Sequence, residues 1–196
     1  SAGSKQIGSM AALKNRFNSV SRDPSSWLNV LRGSVSTGGV FSACIPNLSS
    51  TNAPMRCPPI ESISDPEIQR LSGTQLHPSS VSLVDISGEK IAGDLVDPLY
   101  LDHDGRPCSR GASVCPLKST GYMLRSNADT ASNPGNIRFV IKVEQNMIAA
   151  ANDGVGRIKP EYINLDIGNS WQKSNALAGG IYFSGGGGAN NNTLPG

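Results

Sequence analysis

Ile7, Met10, Leu13, Phe17 and Val20 recur at steps of three and four, while Lys5, Lys14, Asn15 and Asn18 fall on the opposite side. This spacing predicts one amphipathic helix over Lys5–Val20, with a single apolar stripe to bury. Asp23 followed by Pro24 is a helix start, a capping carboxylate with proline at the first helical position. A short second helix is therefore expected over Ser25–Leu31, with Trp27, Leu28 and Leu31 on one face and Gly33 as its stop. Trp27 is expected to pack at the corner between the two helices.

From Val81 the pattern changes to strand-like alternation. VSLVDI, a turn at Ser87-Gly88 and EKIAGDLV predict a hairpin. Further strands are expected at Leu99–Leu101, Thr120–Ser126, Ile137–Gln145, Tyr162–Ile167 and Ile181–Phe183. The strongest is Ile137–Gln145, where Ile137, Phe139, Ile141 and Val143 share one face. Met147–Ala151 is expected to continue or bulge that strand. Ser34–Pro59 is dense in Ser, Gly, Pro and Asn and offers only a brief strand at Val40–Ile45. Asp65-Pro66-Glu67 opens one helical turn through Leu71, closed by Ser72-Gly73. The expected fold is a single α+β domain over 1–196: an N-terminal amphipathic helix packed on an antiparallel β-sheet with long disulfide-bounded loops. Within it, 1–33 is the helical spine and second helix, 34–80 an irregular loop region, 81–184 the sheet body, and 185–196 a Gly/Asn-rich tail.

Composition sharpens this picture in three ways. Hydrophobic residues make up 37% and aromatics 5%, with 22 Gly and 13 Pro, which suits a loop-rich body of short strands. A net charge of +2 supplies no electrostatic case for nucleic acid or anionic lipid as a partner. No run reaches the roughly 20 apolar residues of a membrane-spanning helix. Ser1-Ala2-Gly3 is compatible with a tag remnant ahead of a chain that begins partway into a longer protein.

The four cysteines form two local pairs, spaced C-x12-C (Cys44, Cys57) and C-x6-C (Cys108, Cys115). Neither spacing is a zinc or redox motif, and only His77 and His103 could complete a metal site. Disulfides are the better reading and imply an oxidising compartment. Three pairings are possible; Cys44–Cys57 and Cys108–Cys115 are favoured, because short Pro- and Gly-rich segments bring their ends together readily. Each closed loop would contribute about 2–3 kcal/mol by restricting the unfolded chain.

Catalytic chemistry finds little support. Asp102-His103-Asp104-Gly105 resembles the opening of a calcium loop, making Asp102 and Asp104 weak calcium candidates. The later ligand positions hold Arg106 and Ser113, so a polar turn is preferred and no other cofactor is implied. His103 beside Asp102 lacks any G-x-S-x-G nucleophile elbow. Cys115, next to Pro116, has no basic cluster to activate a thiolate. The runs Gly38-Gly39 and Gly185–Gly188 lack the Lys and the strand-to-helix setting of a phosphate loop. Trp171 and Tyr182 could stack a sugar ring, but paired aromatics are more often packing residues. Asn47-Leu48-Ser49 and Asn191-Asn192-Thr193 match the glycosylation acceptor pattern.

An amphipathic helix leading into a loop and then a disulfide-bearing antiparallel body resembles the soluble part of type IV pilins and type II secretion pseudopilins. The stretches LYLDHDGRPC, CPLKSTGYMLRS and NIRFVIKVEQN are similar in layout to the sheet and disulfide region of that family. The resemblance implies a minor pilin or pseudopilin without its hydrophobic N-terminal helix, and a structural rather than enzymatic role. Ile7, Met10, Leu13 and Phe17 would pack on the subunit's own sheet. Lys5, Lys14 and Arg16 would face neighbours or solvent. Partners would be other pilin or pseudopilin subunits and a host or prey surface, with membrane contact only through the missing segment. The location would be a periplasmic or cell-surface filament whose precursor is anchored in the inner membrane. The alternatives are a secreted adhesin or carbohydrate-binding module using its disulfide-bounded loops, and a secreted hydrolase.

Overall fold

The computed structural model describes residues 11–18, 57–85, 87, 89–128, 134–149 and 159–169. In chain order the elements are α1 (11–18), α2 (Pro66–Ser72), β1 (His77–Ser80), β2 (Leu83–Val84), β3 (Lys90–Ala92), β4 (Leu99–Leu101), β5 (Leu117–Arg125), β6 (Ile137–Gln145) and β7 (Glu161–Gly168).

The centre is the long pair β5 and β6, antiparallel from Leu117 opposite Gln145 to Arg125 opposite Ile137. β7 pairs antiparallel with the far side of β6. The remaining edge of β5 is tiled by three short pieces. β1 covers Tyr122–Arg125, Gly93 bridges Thr120 in parallel, and β4 covers Leu117–Ser119. β2 and β3 form a separate two-stranded ladder. Two glycines make this tiling possible. A side chain at Gly121 would strike the Val81 carbonyl and Leu83, where the chain leaves β1 and passes over β5. A side chain at Gly93 would strike the backbone of Asp97–Leu99, where the chain doubles back toward β4.

Because strand side chains alternate, the sheet has two buried faces. Odd positions such as Met123, Phe139, Ile141, Ile163 and Leu165 form the larger core, which also takes in Leu83 and Ile91 of the small ladder and Leu13 and Phe17 of α1. Even positions Tyr122, Leu124 and Val140 form the second core with Ile63 and Ile68, and Leu71, Leu76 and Tyr162 pack against it. The molecule is thus α+β, an antiparallel sheet with short helices on its faces.

α2 follows its local signals. Asp65 caps it by accepting from the Glu67 and Ile68 amides, Pro66 opens it, and Gly73 ends it at φ 57°. β6 spans the residues its alternation predicts, and β7 extends one residue beyond Tyr162–Ile167 at each end.

Other elements depart from expectation. The sheet begins at His77, inside the stretch expected to be irregular, because HPSS carries no apolar alternation and its proline is tolerable only on an edge strand. β5 starts at Leu117, three residues early, and is buried on both faces, which removes the alternating signal. The predicted hairpin contracts to β2 and β3, and Leu95 and Val96 lie in an exposed bend. Residues 147–149 form a helical turn rather than more strand.

Of the expected helix Lys5–Val20, only 11–18 is described. Ile7, Met10, Val20, the second helix with Trp27, the strands Val40–Ile45 and Ile181–Phe183, Cys44, Trp171, Tyr182, the glycosylation patterns at Asn47 and Asn191 and the tail lie outside the described residues.

Candidate functional site

Three side-chain clusters and one buried arginine tie peripheral elements to the sheet. The first secures α1. Leu13 and Phe17, four positions apart, are buried, and Lys14 and Asn15 are exposed. Arg16, expected to face neighbours or solvent, is only partly exposed and is engaged within the chain. Its guanidinium donates to the Gly105 carbonyl at 3.1 Å, to Asp85 at 3.0 Å and to Glu89 at 3.1 Å. Three acceptors around one planar fork outweigh its hydration. Asp85 also accepts from the Ser87 hydroxyl at 2.6 Å and from the Ser87 and Glu89 amides, closing the β2–β3 turn. Burial pushes the Asp85 carboxyl up, but hydrogen bonds from Ser87 and Arg16 outweigh it and hold it below the usual carboxylate range. One arginine thus joins the helix, the β2–β3 ladder and the 102–106 turn.

The second cluster is the loop between β4 and β5. Cys108 and Cys115 form a disulfide with Cα atoms 6.0 Å apart. Cys57 is buried and disulfide-bonded, and its expected partner Cys44 lies outside the described residues. Asp102 accepts from the amides of Asp104 at 2.8 Å and Arg106 at 3.0 Å, and Gly105 has φ 76°. The Asp102 carboxylate is therefore turned to its own backbone, as in an Asx turn. Among the described residues no three His, Cys, Asp or Glu side chains stand together as metal ligands. His103 is exposed and makes no hydrogen bond to a serine among the described residues. Asn146 pins the far side of the loop. Its side chain donates to Ala112 O at 2.5 Å and Cys115 O at 2.8 Å, its amide donates to Pro116 O, and its carbonyl oxygen caps the Ile148 amide. The loop and the 147–149 turn thus form one surface, with Val114, Met147 and Ile148 exposed.

The third cluster holds α2 to the opposite face. Tyr162 donates its hydroxyl to Asp65, 2.9 and 2.8 Å from the two carboxylate oxygens, and Lys142 pairs with the same carboxylate at 2.8 Å. The Lys142 ammonium also lies 5.7 Å from the Tyr162 ring centroid and 3.8 Å from Glu144. Burial pushes the Asp65 carboxyl up, but bonds from Lys142 and Tyr162 hold it below its ordinary value. Burial pulls Lys142 down, yet Asp65 and Glu144 keep it above its ordinary value. Burial and the adjacent Asp65 push the Tyr162 hydroxyl up, and burial pushes Tyr122 up to about 12. At neutral pH this is a fixed carboxylate, a fixed ammonium and two neutral phenols. Such groups clasp; none is poised near neutrality to move a proton.

Arg125, at the end of β5, is fully buried without a carboxylate partner among the described residues. It donates to Pro58 O at 2.7 Å, Ser79 Oγ at 3.1 Å and Asn127 O at 2.9 Å, while Nη2 has no partner among the described residues. Burial lowers its pKa, although a guanidinium remains charged. It ties the 57–59 segment to β1 and β5.

The Cys108–Cys115 pair and the Asp65 cap were readable from spacing. The partners of Arg16, Lys142, Tyr162, Arg125 and Asn146 were not, since each contact joins residues brought together only by the sheet. No protein-family model, no curated protein and no solved structure matches this chain.

Proposed function

We propose that this chain is the globular body of a structural subunit, a minor pilin or pseudopilin, in a type IV pilus-like or type II secretion filament. The carrying observation is the seating of α1. Its Leu13 and Phe17 enter the core of the antiparallel sheet, and Arg16 locks it to two neighbouring segments. A helix fastened at both its apolar and polar sides is suited to carry load from a filament core to an outer sheet. The disulfide-closed loop at the end of that sheet fits an outward surface kept rigid outside the cytosol. On this reading the partners are further pilin or pseudopilin subunits, and the clusters described above maintain shape rather than perform catalysis.

The test is made in the source cells. Filaments sheared from the surface, or the purified secretion filament, should contain this polypeptide. Its natural upstream sequence should supply a basic leader, a processed start and about 20 apolar residues. A plain cleavable signal peptide upstream, with the protein released free of any filament, would overturn the reading.

A further inference from the structure

The disulfide loop and α1 are linked through one carbonyl. Arg16 donates to Gly105 O at 3.1 Å, across 89 positions of sequence. Gly105 is buried in the turn that Asp102 closes. The Gly105 amide donates to Asp102 O at 3.1 Å, and the Asp102 amide donates to Arg106 O at 2.9 Å. So many bonds within five residues make the turn one unit with the limb that follows it. Among the described residues, the backbone holds that limb to β4 by the Leu101–Pro107 bridge and by the Cys108 amide donating to Tyr100 O at 2.8 Å. Residues 109–111 beyond it are exposed. The far end of the limb is fixed by the bond from Cys108 to Cys115.

The two cysteines are unequal. Cys115 is wholly buried, and its carbonyl accepts from the Asn146 side chain at 2.8 Å. Cys108 is half-buried between exposed Pro107 and Ser109. The bond spans a sequence separation of only 7 and joins no two strands, so the ladder of β5 and β6 does not depend on it.

We propose that Cys108–Cys115 is a redox latch on α1, opened by a dithiol. One thiolate of the dithiol attacks Cys108 Sγ, the S–S bond breaks, and the Cys115 sulfur leaves as a thiolate. The second thiolate then displaces Cys108 from the mixed disulfide. Two electrons pass to the pair, the two thiol protons end on Cys108 and Cys115, and the reductant is left as a disulfide. With the bond open, the limb keeps only its contacts with β4, the 102–106 turn frays and Arg16 loses its Gly105 acceptor. The polar side of α1 is thereby loosened while the sheet stays closed. Asn146 holds Cys115 in place in both states, so the reverse exchange can close the latch again. The device works in the same way whether or not the chain serves in a filament.

Hydrogen exchange of the full chain tests this, read at the amides of 15–18 and, for the fold as a whole, at the central amides of Tyr122–Leu124 and Phe139–Ile141. Cys108→Ser/Cys115→Ser, which leaves the Cys57 disulfide in place, should speed exchange in α1 relative to the central amides by about tenfold or more, the worth of one hydrogen bond from a charged group. Arg16→Ala should widen the same gap. Adding the serine pair to it should widen the gap by less than in the native background, because the shared link is already gone. In the native chain, a dithiol added in steps should bring up thiols at Cys108 and Cys115, mapped by alkylation and mass spectrometry, in parallel with the loosening of α1. Exchange in α1 and at the central amides that quickens by one common factor overturns the proposal. So do effects of Arg16→Ala and the serine pair that multiply in full, or a bond that resists the dithiol until the sheet itself unfolds.

Discussion

Asp65 caps α2, receives the Tyr162 hydroxyl and pairs with Lys142 through one carboxylate. Burial raises its proton affinity, but those donors lower it further, so the folded-state pKa lies below the unfolded one. The unfolded chain then binds more protons as the solution is acidified. The stabilisation is complete above the unfolded value near 3.9 and disappears as pH falls through the folded value. Asp85 has the same sign, with burial again opposed by Ser87 and Arg16. Denaturant unfolding should therefore show stability declining as pH drops below about 4. Asp65→Asn retains an oxygen for the helix amides but loses the charge. It should cost about 1–2 kcal/mol at neutral pH and flatten the acid slope, and an unchanged slope would mean Asp65 is not the titrating group. Arg125 differs in kind, since among the described residues it has no charge partner and serves three neutral acceptors. Arg125→Lys keeps the charge but not the fork. It should lower the unfolding free energy by about 1–3 kcal/mol, because some of the buried oxygens of Pro58, Ser79 and Asn127 lose their donor.

At the scale of elements, the apolar period of 11–18 was a sound guide to packing and a poor guide to its polar side. Leu13 and Phe17 are buried as the stripe requires. Arg16 lies on the polar flank, yet it is drawn inward by Asp85 and Glu89, which are about 70 positions away and invisible to any local pattern. β6 and β7 were legible because each alternates cleanly between a large core and a more polar face. β1 was not, since it is defined by pairing with Tyr122–Arg125 and by the Arg125 bond to Ser79, not by hydrophobicity. The disulfide loop was legible in its spacing, whereas the Asn146 clamp was not, since a lone asparagine after a strand carries no signal. Phe17→Ala should cost about 3–5 kcal/mol in urea unfolding if α1 belongs to the core. A loss under about 1 kcal/mol would mean the helix is only laid on the surface. Replacing both Cys108 and Cys115 by serine should cost about 2–3 kcal/mol, with the strands otherwise retained in circular dichroism.

At the scale of the whole molecule, the two cores share their central strands. β5 and β6 contribute Met123, Phe139 and Ile141 to one face and Tyr122, Leu124 and Val140 to the other. Opening either strand therefore exposes both cores at once, whereas β1 and β4 each cover only part of one edge. The amides of Tyr122–Leu124 and Phe139–Ile141 should exchange with solvent only through global unfolding, and those of β1 through smaller local openings. Native-state hydrogen exchange across a denaturant series separates the two classes. Central amides should share one steep denaturant dependence, and the edge amides should begin shallow and merge with it. Under the proposed filament role, the seating of α1 would decide how load passes to the sheet. If Leu13 and Phe17 are integral to the larger core, protected amides of 11–18 join the central class, and force on the helix is borne by β5 and β6 together. If they exchange earlier, with a shallow slope, the helix detaches before the sheet yields, and a load-bearing subunit role loses its mechanical basis.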